Sequence, residues 1–273
     1  MRIGHHTNIK ELLKSHEFNA YQVFISSPRA WAIKINKEII KKLHELYLKR
    51  GFFLVIHGKY LYNHCRTNET NAILEQELRI AAEIGDDVGV IIHQGKNMPE
   101  LQMTREEAID TFCYGIKQIL HSTRDIKNKI ILENSAHQGN ELGYTLDELF
   151  LIYSKINSDR IGICIDLCHI FVAGSVDMRD KKAVSLFFKE FDRLFSLKNL
   201  TVIHYNDSNS KYDSHNDCHG DVSTGYITKA SMGGSTDGFK VVNKYALKYG
   251  IPLILETPGI ISYCDQIEKI KKL

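Results

Sequence analysis

No apolar run in the chain approaches the roughly 18 residues that a membrane span needs, and the N-terminal MRIGHHTNIKELLK lacks the apolar stretch of a secretory signal. An intracellular protein is expected, and the sequons Asn68-Glu69-Thr70 and Asn206-Asp207-Ser208 are read as unused. Proline is scarce, with 4 in 273 residues, which excludes a proline-rich or low-complexity chain. The six cysteines form no C-x-x-C pair, so a disulfide scaffold and a redox dithiol drop out and the thiols are expected to be reduced. A formal charge of +2 is too small to indicate nucleic acid by itself. There is no P-loop, no G-x-G-x-x-G, no H-E-x-x-H and no nucleophile-elbow serine. The one tryptophan, Trp31, is expected in the core.

What remains is a repeat of short β-branched runs alternating with amphipathic stretches. The runs occupy 2–6, 21–26, 52–58, 88–95, 129–135, 160–169, 200–207 and 251–258. Between them lie helical stretches such as NETNAILEQELRIAAEIG, TREEAIDTFCYGIKQILHS and KKAVSLFFKEFDRLFS, several opened by Thr or Asn and closed by Gly. Near-continuous apolar strands imply a parallel sheet covered on both faces. Eight βα units of about 34 residues fit one closed (β/α)₈ TIM barrel spanning 1–273, an α/β fold, better than an open doubly wound sheet. The longest irregular stretch, 208–236, follows the seventh strand, where a functional loop is expected.

The strand ends carry the chemistry. His57 ends the third, His93 the fourth, Glu133 the fifth, Asp166 and His169 the sixth, His204 the seventh and Glu256 the eighth. All are metal-ligand types, and in a (β/α)₈ barrel the C-terminal strand ends share one side. Any one histidine is more often structural, but successive strands ending this way point to a shared ion site. A buried carboxylate cluster without cations would also repel itself. The loop adds Asp217 and His219 around Cys218. Mixed imidazole and carboxylate suit Zn²⁺ or Mn²⁺, and five His with four carboxylates suit two or three ions. Three dications would raise the formal +2 to about +8, an electropositive basin suited to phosphodiester hydrolysis.

At these residues the chain resembles the endonuclease IV family of abasic-site endonucleases. The resemblance is carried in order by HGKYLYN, ILENSAHQG, CIDLCHIFVAG, HYNDS, DCH and LETPG. It implies a DNA-repair barrel with three zinc ions, Mn²⁺ being able to take one site. His57, His93 and Glu133 would hold the first, Glu133 bridging to a second held by Asp166, His204 and Glu256. His169, Asp217 and His219 would hold the third. It also implies that Arg29 and the pair Tyr60-Leu61 enter a damaged duplex and that His6 orients the ligands from behind; Lys59, beside the wedge, is expected to contact DNA in compensation for an arginine that Cys218 replaces. An apolar wedge fits this task, because unstacking costs least where a base is already missing.

Departures from the family pattern are Gln94 for Pro, His137 for Gly, Leu167 for Thr, Ser223 for Gly and Cys218 for a common Arg, the last removing a phosphate contact. The implied reaction is hydrolysis of the phosphodiester 5′ to an abasic site, leaving a 3′-hydroxyl, with a metal-bound hydroxide as nucleophile. Two rivals stand beside it. A two-metal sugar isomerase would use Glu133, Asp166 and Glu256 but needs neither Asp217 and His219 nor the wedge. A non-catalytic damaged-DNA binder would retard abasic DNA without cutting it. A monomer is expected. Richness in Ile, Lys, Asn and Tyr fits an AT-rich genome, which places the protein in the cytoplasm and nucleoid if bacterial, or in the host cell or virion if viral.

Overall fold

A computed structural model describes residues 1–61, 63, 65 and 69–273, with Glu69 and Thr70 described for backbone only. Tyr62 of the HGKYLYN block and Asn68 of the first sequon lie outside the described residues. The eight apolar runs form parallel strands: β1 (Ile3–Asn8), β2 (Ala20–Phe24), β3 (Phe53–His57), β4 (Gly89–Ile92), β5 (Ile130–Glu133), β6 (Ile161–Asp166), β7 (Leu200–His204) and β10 (Leu253–Leu255). They close into a barrel in the order β1-β10-β7-β6-β5-β4-β3-β2. Two two-residue strands, β8 (Asp207–Ser208) and β9 (His219–Gly220), pair antiparallel outside it. The chain's contacts group it into two compact units.

One unit comprises residues 6–133 and 151–162. Strands β2 to β5 pair in parallel, with Val55 opposite Gly89 and Val90 opposite Ile130. Every residue of β4 and β5 is buried, as the unbroken Val and Ile runs require. Gly89 leaves room for the neighbouring strand, since a Cβ there would lie 2.5 Å from Ile131 Cδ1 and force that side chain to move. Helices α1 (Ile9–Lys14), α2 (Lys37–Arg50), α3 (Glu69–Ile84) and α4 (Arg105–Ser122) follow the strands. Asn8 and Asn36 cap α1 and α2, and Thr104 with Glu107 forms a reciprocal capping box on α4.

The other unit comprises residues 1–5, 134–150 and 163–273. In it β10 lies between β1 and β7, and β6 pairs with β7 so that Asp166 faces His204. Helix α7 (Lys181–Phe195) buries Phe187, Phe188, Phe191 and Phe195 along one stripe. Phe188 stacks on Tyr245 of α8 (Asp237–Tyr249) at 4.5 Å, and α9 (Tyr263–Lys271) closes the chain. Helix α5 (Leu146–Ile156) crosses the boundary between the two groupings.

Two expectations change. The sixth run, read as a strand over 160–169, ends at Asp166, and Leu167–Val172 forms the short helix α6. The cause is local: the Asp166 carboxylate accepts from the His169 amide at 2.9 Å and caps the helix, which the apolar run conceals. His169 therefore sits in a first helical turn and not on a strand. Trp31, expected in the core, is 52% exposed. The 208–236 stretch is held tightly by Asp207, whose buried carboxylate accepts from the amides of Ser208, Gly225 and Ile227 and from the Thr228 hydroxyl. Burial raises the Asp207 carboxyl above its ordinary range, against those hydrogen bonds. Asn206 of the second sequon is fully buried.

Candidate metal centre

In the unit of residues 6–133, β3 and β5 end on His57 and Glu133, and His93 lies one residue beyond β4. Glu133 Oε2 is 3.5 Å from His57 Nε2 and 3.4 Å from His93 Nε2. Those separations are long for hydrogen bonds. They match the edge of a tetrahedron whose centre is about 2.05 Å from each donor, roughly 3.3 Å. His57 Nδ1 donates to the Gly58 carbonyl at 2.8 Å, which turns the Nε2 lone pair toward Glu133. Glu133 is fully buried and His57 nearly so.

The other unit holds two more donor sets. At the ends of β6, β7 and β10, His204 Nδ1 lies 3.8 Å from Asp166 Oδ2 and 3.0 Å from Glu256 Oε2. From α6 and the long loop, His169 Nε2 and His219 Nε2 each lie 3.2 Å from an Asp217 carboxylate oxygen. His219 Nε2 is also 3.6 Å from Asp166 Oδ2, so the two sets adjoin. His169 Nδ1 donates to Asn134 O at 2.9 Å and His219 Nδ1 to Glu256 O at 3.3 Å, again leaving Nε2 for the acids. Burial alone would lower the His219 imidazole, but Asp166, Asp217 and Glu256 push it up to about 9. Burial alone would raise the Asp217 carboxyl, but His169 and His219 outweigh it and hold it well below the carboxylate range. Positive charge is thus wanted at the point where a cation would sit, and a metal would replace a proton there. His57, His93 and Glu133, and likewise His169, Asp217 and His219, each bring their donor atoms within 4.8 Å of one another.

Two residues beside these donors carry no metal-ligand motif in the sequence. Asn134 Oδ1 accepts from the Asp166 amide at 2.7 Å, and its own carbonyl takes His169. Asn206 Nδ2 donates to Asp166 Oδ2 at 2.6 Å, and its Oδ1 accepts from the Glu256 amide at 2.8 Å. Each follows a strand-end ligand by one or two positions, the only sequence signal available. His6 is engaged by Gln22, whose Nε2 lies 2.9 Å from His6 Nδ1, and its ring packs on Phe24 at 4.5 Å.

The residues expected at DNA divide. Arg29 is exposed, Tyr60 is 56% exposed and Leu61 is half-buried. Lys59 is 3% exposed, its ammonium held inside, so it presents no charge at the surface. Burial lowers the Lys59 ammonium, with Glu77 opposing. Where the family pattern has glycine, His137 and Ser223 adopt φ of 61° and 78°, so the left-handed backbone persists without glycine to ease it. Cys218, between Asp217 and His219, is exposed and free.

Residues 11–263 match the family described as a xylose isomerase-like TIM barrel. A putative endonuclease 4 of Acanthamoeba polyphaga mimivirus is 33% identical, the match covering 99% of this chain and 92% of that relative. Among solved structures, endonuclease IV of Thermus thermophilus superposes with a TM-score of 0.77 at 24% identity, over 100% of this chain and 97% of that one. A D-tagatose 3-epimerase-like protein reaches 0.71 at 21% identity, over 100% and 95%. At those identities the two structures establish the fold alone, which sugar-epimerase relatives share.

Proposed function

The chain belongs to the endonuclease 4 family of xylose isomerase-like TIM barrels, and from that premise we propose that it is a metal-dependent DNA-repair endonuclease that hydrolyses the phosphodiester 5′ to an abasic site. The observation that carries the reading is the triple donor set, with imidazole–carboxylate separations of 3.0 to 3.8 Å and histidine tautomers fixed by backbone carbonyls. A sugar isomerase built on the same barrel has no need of the set from His169, Asp217 and His219. The expected cofactor is zinc, three per chain, with Mn²⁺ acceptable at one site.

His57, His93 and Glu133 would hold one ion, Asp166, His204 and Glu256 a second, and His169, Asp217 and His219 a third. Bound zinc would supply Lewis acidity for the phosphoryl oxygens and lower the pKa of water near them. Glu133 is the residue on which this chemistry depends most, because it would be the one anionic donor in the set with His57 and His93. Asn134 and Asn206 orient the ligands, and His6 adds support behind them. Arg29, Tyr60 and Leu61 would enter the duplex where a base is missing, and the kink so produced would bring the backbone to the ions. Hydrolysis breaks the P–O3′ bond, the water oxygen staying on phosphorus while the 3′ oxygen leaves as a hydroxyl. The test is a duplex carrying one stable abasic analogue, with product ends identified by mass. A 3′-hydroxyl on the 5′ side of the lesion supports the proposal, whereas intact DNA after zinc reconstitution overturns it.

A further inference from the structure

Lysine is almost never buried unless paired, yet Lys59 is only 3% exposed, one residue from the exposed Tyr60. Its ammonium donates to Ser26 Oγ at 2.7 Å and to the Ser27 carbonyl at 2.8 Å, on the segment that carries Arg29 and Trp31. Glu77 of α3, also buried, supplies negative charge to the same surroundings. Beside this tie the Tyr60 ring stands edge-on to Phe24, the last residue of β2, at 5.3 Å and to His57 at 5.5 Å. The segment after β3 is therefore held twice, to the segment after β2 by the Lys59 ammonium and to the end of β2 by the Tyr60 ring.

We propose that Lys59 is a positioning residue that locks the Arg29 segment to the Tyr60-Leu61 segment, so that the groups entering DNA are set before DNA arrives. The inference rests on the proposed function. Its physical content is preorganisation: groups already fixed need not be ordered on binding, and the gain appears in affinity for the lesion and not in the chemical step. A lysine touching phosphate would behave differently, since its loss weakens binding to all duplexes and reduces the salt slope by about 1.

The experiment compares wild type, Lys59→Met and Ser26→Ala on a duplex with one tetrahydrofuran abasic analogue and on the same duplex intact. Trp31, the one tryptophan and on the tethered segment, reports without DNA. Expected for Lys59→Met are stronger acrylamide quenching of Trp31, KM for abasic duplex raised about tenfold with kcat within twofold, and unchanged affinity and salt slope on intact duplex. Ser26→Ala should shift the same readouts less, and the double variant should be no worse than Lys59→Met alone. If Lys59→Met fails to fold, Ser26→Ala carries the test. Unchanged Trp31 quenching, or a salt slope smaller by about 1 on intact duplex, would overturn the clamp. A wild-type protein inert on abasic DNA would instead refute the proposed function, while the quenching result still decides the clamp.

Discussion

Replacing Asn206 with Ala removes one side chain that serves two of the proposed ligands, Asp166 and Glu256. Its amide donates to Asp166 Oδ2 at 2.6 Å and its oxygen takes the Glu256 amide at 2.8 Å, all in a fully buried position. The bond to a carboxylate is worth about 1.5–3 kcal/mol, and an orphaned buried amide costs about 1–3 kcal/mol. The two share one site and do not add fully, so a loss of about 3 kcal/mol is expected, or roughly 6–10 °C in Tm. Urea unfolding should be run on chelator-treated protein, because bound metal adds its own linkage. Zinc affinity, read by competition with a chromophoric chelator, should fall about 10- to 100-fold because Asp166 loses its orienting partner. Asn206→Asp keeps the shape but sets a second carboxylate against Asp166, and should lose more stability still. An Asn206→Ala protein within about 0.5 kcal/mol of wild type, with unchanged zinc affinity, would refute the reasoning.

Glu133→Gln should keep the far-UV spectrum and lower incision by about three decades or more, the loss expected when the anionic donor for a catalytic cation is neutralised; retained turnover would remove Glu133 from its role. Asp221 is buried and accepts from the Gly259 amide at 2.9 Å, the Ile261 amide at 2.6 Å and Gln266 Nε2 at 3.2 Å. Asp221→Ala should therefore lower stability by about 2–4 kcal/mol in urea titration, and a loss below about 1 kcal/mol would contradict that count of bonds. Ser223→Gly relieves a φ of 78° while keeping the hydrogen bond from its amide to the Thr228 hydroxyl oxygen, and should raise stability by up to about 1 kcal/mol, read as a higher Tm. His137→Gly should gain less or lose, since His137 stacks on Tyr144 at 3.7 Å.

The barrel was legible because its strands are apolar on both faces, and runs such as FFLVIHG and KIILENS have no helical reading of that length. Helix starts were legible where a cap is written in the sequence, as at Thr104 and Glu107. The sixth run misled because Asp166 serves at once as strand end and helix cap, and nothing in RIGICIDLCH separates Ile165 from Leu167 by polarity. Lys59 and Trp31 went astray for a related reason. Average burial puts lysine outside and tryptophan inside, but two serine oxygens 32 and 33 residues upstream reverse the first, and the loop position of Trp31 reverses the second. Asn134 and Asn206 were hidden because an amide beside a ligand looks like any strand-end polar residue until its two partners are seen.

Incision of a duplex bearing a single stable abasic analogue, with the protein's bound metals counted in the same sample, tests the central claim most directly. Three ions per chain, zinc predominant, and a cut on the 5′ side of the lesion leaving a 3′-hydroxyl are expected. A chain that binds two ions or fewer and leaves the duplex whole would contradict that claim.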